Sequence, residues 1–193
     1  MSNENLNDTA TLNFPNILTF FRILLIPVFI LTVITPFPYG LLLATAVFLT
    51  ASATDVLDGY IARRRSQVTT LGRLLDPVAD KLLIMSALFL LVDMDRVFAW
   101  VAIIIVGREL FVTALRALAA AQNLIMPADT TGKYKMLLQV IAISFLLLQN
   151  ESILVFDMHF WGSLFLYIST ILGIISAIQY ALRLRTHIAT NSK

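Results

Sequence analysis

The sequence predicts an all-α integral membrane protein built as a bundle of six transmembrane helices, and three observations carry that prediction. First, 59% of its 193 residues are hydrophobic and 13% are charged, against about 45–50% and about 25% in soluble domains. Second, the mean hydropathy is +0.85. Third, the apolar stretches are long and continuous, whereas a β-barrel requires alternating segments of about ten residues. Cysteine is absent, which excludes disulfides, thiolate nucleophiles and Cys-ligated metals. The whole chain, 1–193, reads as one membrane domain, with a polar lead-in over 1–13 and a polar tail over 184–193.

The elements follow in order. Asn16–Ile34 is the first span, carrying Arg22, with Pro27 expected to kink it. Pro36 and Pro38 mark a turn. Tyr39 to about Ala62 is the second span, and its Ala44, Ala46, Ala51, Ser52 and Ala53 permit close helix packing. The third span begins at or before Asp76 and runs to Val92, and Asp93–Arg96 is a polar turn. Val97–Ala121 is the fourth span, interrupted by Arg108, Glu109 and Arg116. Gln122–Lys135 reads as a loop and Met136–Leu148 as the fifth span, short unless it begins near Lys133. Asn150–His159 is a turn and Phe160 to about Leu182 is the sixth span. Spans of about 20 residues match a hydrocarbon core of about 30 Å.

Loop charges orient the bundle. Arg63, Arg64, Arg65, Arg73, Lys133, Lys135, Arg183, Arg185 and Lys193 fall on one side; Asp93, Asp95, Glu151 and Asp157 fall on the other, with Arg96. The positive-inside rule places the basic side and both termini in the cytoplasm. Trp100 and Trp161 fall near helix starts on the opposite side, as interfacial aromatics do.

One stretch, Thr54–Lys81, is out of keeping with so apolar a chain. It holds four aspartates, Asp55, Asp58, Asp76 and Asp80. Helical spacings of three and four put Asp55 with Asp58 on one helix side and Asp76 with Asp80 on another. Gly59 and Ala62 leave room beside Asp58, and Arg63, Arg64, Arg65 and Arg73 surround Gly72. An ionisable group at membrane depth costs roughly 2.5–3.5 kcal/mol, and clustered carboxylates repel one another. A divalent cation offsets both costs; hard oxygen ligands suit magnesium, manganese or calcium. Magnesium commonly bridges carboxylates and phosphate oxygens, which points to a pyrophosphate or nucleotide substrate. One carboxylate could also take a proton from an attacking hydroxyl. A lone Asp near a helix end is commonly a solvated cap, and Asp76 before Pro77 could be one. Four at these spacings, beside Gly59 and Gly72, favour a shared site.

Asp55, Asp58, Gly59, Ala62, Arg63, Gly72, Asp76 and Asp80 resemble, without departure, the signature of the CDP-alcohol phosphatidyltransferases. The resemblance implies six transmembrane helices, a cytoplasm-facing polar cavity, a CDP-linked lipid donor and a homodimer. It implies a divalent metal, Mg²⁺ or Mn²⁺, held by the four aspartates, with Asp80 as general base. It also implies that Asp58, Gly59, Ala62 and Arg63 line the cytidine-diphosphate site, with Gly72 in the same signature.

Pro15-Asn16-Ile17-Leu18-Thr19 with Arg22, Gly107-Arg108-Glu109 with Leu115-Arg116, and Gly132-Lys133 with Lys135 and Gln139 are similar to the branch of that family that uses glycerol 3-phosphate. Met136 stands where that branch more often has Thr. The implied reaction joins CDP-diacylglycerol and glycerol 3-phosphate, giving phosphatidylglycerophosphate and CMP for phospholipid biosynthesis at the inner membrane. The acceptor's phosphate needs cations, for which Arg116, Lys133, Lys135 and Arg183 are the candidates. Glu109 is expected to pair with an arginine and hold helices together. Arg108 could serve substrate or structure, Arg185 suits lipid headgroups, and Arg22 could meet a phosphate. Asn16 and Thr19 could cap the first helix or touch the nucleotide.

Two other readings stay open on the residues alone. Another acceptor, such as inositol phosphate, serine or a phosphatidyl lipid, would use the same aspartates. An ion-coupled transporter would also carry intramembrane charges, although no inverted repeat is evident. Membrane lipids are expected partners; nucleic acid is not.

Overall fold

The computed structural model describes residues 14–65, 70–121, 130–149 and 157–191. Among these there are six α-helices and no strand: α1 Phe14–Ile34, α2 Gly40–Arg65, α3 Thr70–Asp93, α4 Ala99–Ala121, α5 Thr130–Leu148 and α6 Met158–Asn191. They form two compact units, Met1–Ser86 and Ala87–Lys193.

In the first unit α1 packs against α2. The buried positions of α1 are Thr19, Arg22, Ile26 and Phe29, a stripe at spacings of three and four. On α2 the stripe is Ala44, Phe48 and Ala51. Phe29 meets Phe48 with ring centroids 5.8 Å apart, which sets the antiparallel register. The return is tight. Tyr39 adopts φ 63°, and a Cβ on Gly40 would lie 3.3 Å from the carbonyl of Thr32. The outward face of α1 is Phe20, Phe21, Leu24, Val28 and Leu31. This helix therefore turns its charge inward and a row of large apolar side chains outward, unlike a soluble amphipathic helix.

In the second unit α4 and α5 both pack on α6. Trp100 stacks on Tyr167 at 6.1 Å and Arg108 reaches Gly173, so α4 runs parallel to α6. Phe145 meets Phe165 at 6.0 Å, and Lys135 lies beside Gly173, so α5 runs antiparallel to α6. The approach is tight at Gly162, where a Cβ would lie 2.8 Å from Leu146 Cγ. The end of α3 is closed by two bonds, Arg96 N–H to Leu91 O (2.9 Å) and Asp95 N–H to Val92 O (3.0 Å). That is the Schellman pattern, with Asp95 at φ 56° where glycine is usual. Arg96 is itself buried and its Nη1 donates to the carbonyls of Leu146 and Leu147, both at 2.8 Å. It thereby caps the C-terminal end of α5.

Among the described residues one helical stretch, Met158–Thr186, is long and apolar enough to cross a membrane; Thr19–Ile34, Gly40–Thr54 and Tyr134–Leu148 are shorter apolar helices. Several expected boundaries move. Helix α5 begins at Thr130, so Gly132, Lys133 and Lys135 belong to a helix and not to a loop. Helix α6 continues to Asn191, so Arg183 and Arg185 are helical and the expected tail from 184 is largely helix. Helices α2 and α3 extend to Arg65 and from Thr70, which puts Arg63, Gly72 and Arg73 in helices. Arg, Lys and Gln are good helix formers, so a polar stretch need not end a helix that packing has already nucleated.

Candidate functional site

The aspartate stretch is carried by two helices. Asp55 and Asp58, with Gly59, Ala62 and Arg63, lie on the last part of α2. Gly72, Asp76 and Asp80 lie on the first part of α3. The helical backbone through both segments realises the expected spacings: Asp55 and Asp58 share one side of α2, and Asp76 and Asp80 share one side of α3. Asp76 is the seventh residue of α3 and so is not the N-cap that Pro77 suggested. The side chains of Asp55, Asp58, Ala62, Arg63 and Asp76, and the surroundings of Gly59 and Gly72, lie outside the described residues, as do the side chains of Asn16 and Lys133. Asp80 is described and half-buried, between buried Ala79 and half-buried Lys81.

The register of the first unit adds Thr19 and Arg22. Phe29 lies level with Phe48 in an antiparallel pair. Seven residues back along α1, Arg22 is therefore level with the part of α2 where its aspartates begin. Arg22 is fully buried and Thr19 is 1% exposed. A guanidinium taken wholly out of water requires anionic or carbonyl partners. Thr19 lies too far inside α1, which starts at Phe14, to cap it, so the capping alternative does not hold for this residue.

The second unit gathers a separate polar cluster. Glu109 Oε1 accepts from Arg108 Nη1 at 2.9 Å and also pairs with the ammonium of Lys135. Arg108 is fixed on its other edges: Nε donates to Gly173 O at 2.9 Å and Nη2 to Ser176 Oγ at 3.2 Å. The stem of Lys135 runs past Gly173, where a Cβ would stand 3.6 Å from its Cδ and Cε. Glu109 thus pairs with an arginine, as expected, and with Lys135 as well. Arg108 bonds to Glu109, Gly173 and Ser176. One α5 turn on, buried Gln139 has an amide nitrogen with no hydrogen-bond partner among the described residues.

Farther along α4, Arg116 is exposed and its guanidinium lies 5.8 Å from the ring centroid of Tyr180 on α6. Arg183 is exposed three residues beyond Tyr180. Of the proposed acceptor cations, Arg116 and Arg183 therefore face outward from neighbouring parts of α4 and α6, and Lys135 is buried with Glu109. Sequence reasoning missed Tyr180, Gly173 and Ser176. No spacing rule marks an isolated Tyr, Gly or Ser in an apolar helix as the partner of a cation sixty residues away.

The donor set fits a divalent cation. Four carboxylates are hard oxygen ligands at helical spacings of three and four on regular backbone, and the chain offers no softer thiolate. Among the described residues alone no group of three acidic or imidazole side chains gathers; three of the four aspartate side chains fall outside that set.

Comparison with known proteins supplies the frame. The family of CDP-alcohol phosphatidyltransferases matches residues 12–175. The chain is 39% identical over 180 residues to the CDP-diacylglycerol–glycerol-3-phosphate 3-phosphatidyltransferase of Bacillus subtilis (strain 168), covering 87% of this chain and 93% of that protein. Proteins of the same name from Pseudomonas fluorescens and Haemophilus influenzae (strain Rd) are each 38% identical. The first match covers 94% of this chain and 95% of its relative, the second 87% and 91%.

Proposed function

The chain belongs to the CDP-alcohol phosphatidyltransferase family, and from that premise we propose that it transfers the phosphatidyl group of CDP-diacylglycerol to glycerol 3-phosphate. The products are phosphatidylglycerophosphate and CMP, and the activity serves phospholipid biosynthesis. The observation that carries this reading is the similarity along nearly the whole chain to relatives that bear the name of that activity, together with the unbroken aspartate signature on α2 and α3.

In this reading Asp55, Asp58, Asp76 and Asp80 hold a divalent metal, Mg²⁺ or Mn²⁺. When bound, the metal supplies charge neutralisation to the diphosphate. The residues of the chain do the rest. Asp58, Gly59, Ala62, Arg63 and Gly72 bind the cytidine-diphosphate end, with Asn16 and Thr19 on α1 as further nucleotide contacts. Asp80 accepts the proton of the acceptor hydroxyl. That oxygen bonds to the lipid-linked phosphorus as the bond from phosphorus to the bridging oxygen breaks, and CMP leaves with that oxygen. Arg116, Lys133 and Arg183 bind the phosphate of glycerol 3-phosphate; Lys135, the fourth candidate cation, is held by Glu109. A guanidinium or ammonium discriminates in favour of an acceptor that already carries a phosphate, which serine does not.

We read the six helices as six membrane spans and 1–193 as one domain of an inner-membrane protein. Its aspartates lie in a polar cavity facing the cytoplasm, and it works as a homodimer. The inward charge and outward apolar face of α1 support the membrane setting, and the loop charges support the orientation. The test is CMP release from CDP-diacylglycerol by purified protein with magnesium. Release should require glycerol 3-phosphate and stop on chelation. Release that ignores glycerol 3-phosphate and responds to serine or inositol phosphate would reassign the acceptor; no release with any alcohol would remove the enzyme reading.

A further inference from the structure

A cavity of about 720 Å³ opens in the second unit between the α3–α4 turn and the start of α6. It is separate from the Arg108–Glu109–Lys135 cluster, which lies midway along α4. Its volume falls within the range of small-ligand sites, about 300–1,000 Å³. Its walls are mainly apolar and aromatic, including Phe98, Val101, Phe160 and Tyr167, and its polar residues include Asp95 and Asp157.

The charges on this cavity are unequal in what they can offer a ligand. Arg96 also lines it, but that residue is 5% exposed and its Nη1 is committed to the carbonyls of Leu146 and Leu147. His159 Nδ1 bonds to Gln149 Oε1 at 2.7 Å. Both aspartates are exposed. Asp95 is held in its left-handed conformation by the closing turn of α3. Asp157 Oδ1 accepts from Phe160 N–H at 3.0 Å, which caps α6 and leaves its second oxygen outside that bond. The accessible charge is therefore negative, above an apolar, aromatic pocket. That combination is complementary to a cation with a hydrocarbon tail.

We propose that this cavity binds a phospholipid whose headgroup carries an ammonium. Asp95 and Asp157 meet the ammonium, and Phe98, Val101, Phe160 and Tyr167 cover the start of the acyl chains. The inference rests on the membrane reading given above, which puts the starts of α4 and α6 at headgroup level. It does not depend on the identity of the acceptor. The site has no part in phosphatidyl transfer as described; it fixes which lipid seats against the outer end of α4 and α6.

The chain carries its own reporters. Its two tryptophans, Trp100 and Trp161, flank the cavity, Trp100 through its stack on Tyr167 and Trp161 beside Phe160. The experiment is quenching of tryptophan fluorescence in bilayer discs by lipids with brominated acyl chains. An ammonium-headed phospholipid is compared with an anionic one of the same chains. The ammonium lipid should reach half-quenching at an about three- to tenfold lower mole fraction, as two exposed ion pairs allow. The pair Asp95→Asn with Asp157→Ser, which keeps a capping hydroxyl, should erase the preference and leave CMP release unchanged. Asp95→Asn alone should lower it by part, which serves if the double variant does not fold. Equal quenching by both headgroups in the native chain would overturn the proposal and leave the membrane reading standing; absence of quenching by either would remove the membrane reading itself.

Discussion

Arg108 on α4 donates from Nε to the backbone carbonyl of Gly173 on α6, at 2.9 Å. The carbonyl belongs to a helix interior, so it accepts this bond in addition to any from its own ladder. The same guanidinium holds Glu109, and Glu109 holds Lys135 from α5. With the bond to Ser176, this contact fastens the cluster that joins α4, α5 and α6. Arg108→Met should leave the Glu109 carboxylate with Lys135 alone and remove the bonds to Gly173 and Ser176, at a cost of about 1–3 kcal/mol. Thermal unfolding should move down by several degrees, while the KM values for both substrates stay close to native in the protein that remains folded. A selective rise in the KM for glycerol 3-phosphate would instead make Arg108 a substrate ligand.

Arg116 differs from Arg108 in being exposed, with Tyr180 as its contact, 5.8 Å away. A cation on an aromatic face at an exposed site gains about 0.5–1 kcal/mol, enough to orient it and too little to satisfy it. Arg116→Ala should raise the KM for glycerol 3-phosphate by roughly tenfold or more, the loss of one charge-assisted hydrogen bond, with the KM for CDP-diacylglycerol unchanged. Steady-state kinetics varied in each substrate separately check this. Equal losses on both would assign the residue to structure.

Asp80 on α3 is half-buried and carries the proposed proton transfer. Asp80→Asn keeps the shape and removes the base, so kcat should fall by about 10²–10⁴. Helix content and unfolding temperature should stay as they were. Near-native turnover in that variant would leave the reaction without its assigned base.

Arg96 caps α5 through the carbonyls of Leu146 and Leu147, both at 2.8 Å. Arg96→Met should strand two buried acceptors and lower stability by about 1–3 kcal/mol for each, with no change in KM for either substrate. Comparing the unfolding midpoints of the two proteins checks it; an unchanged midpoint would mean that the guanidinium is dispensable.

Gly162 is set by contact rather than by φ. A Cβ there would meet Leu146 Cγ at 2.8 Å and the carbonyl of Ala142 at 3.2 Å. Gly162→Ala should therefore spread α5 from α6 at a cost of about 1–3 kcal/mol. Measured in a Leu146→Ala background, the same Gly162→Ala change should cost less than in the native chain if the clash is with the leucine side chain, and a double-variant cycle of stability measurements would show it.

Composition and periodicity determined that the chain is helical and apolar, and the spacing of Asp55, Asp58, Asp76 and Asp80 determined which chemistry to look for. Both signals are local, because 3.6 residues per turn converts sequence distance directly into position on a helix face. Helix ends were less legible: Thr130, Arg65 and Asn191 extend elements past their apolar stretches, since a packed helix propagates through polar residues that form helix well. The partners of the buried cations were not legible at all. Lys135 and Arg116 look alike as basic residues in a sequence, yet one is buried against Glu109 and the other exposed beside Tyr180. Only the packing of α4 and α5 on α6 decided that. Whether a charge is spent inside the protein or left for a ligand depends on which helix faces it across the core, and that distance is set by tertiary contact rather than by position along the chain.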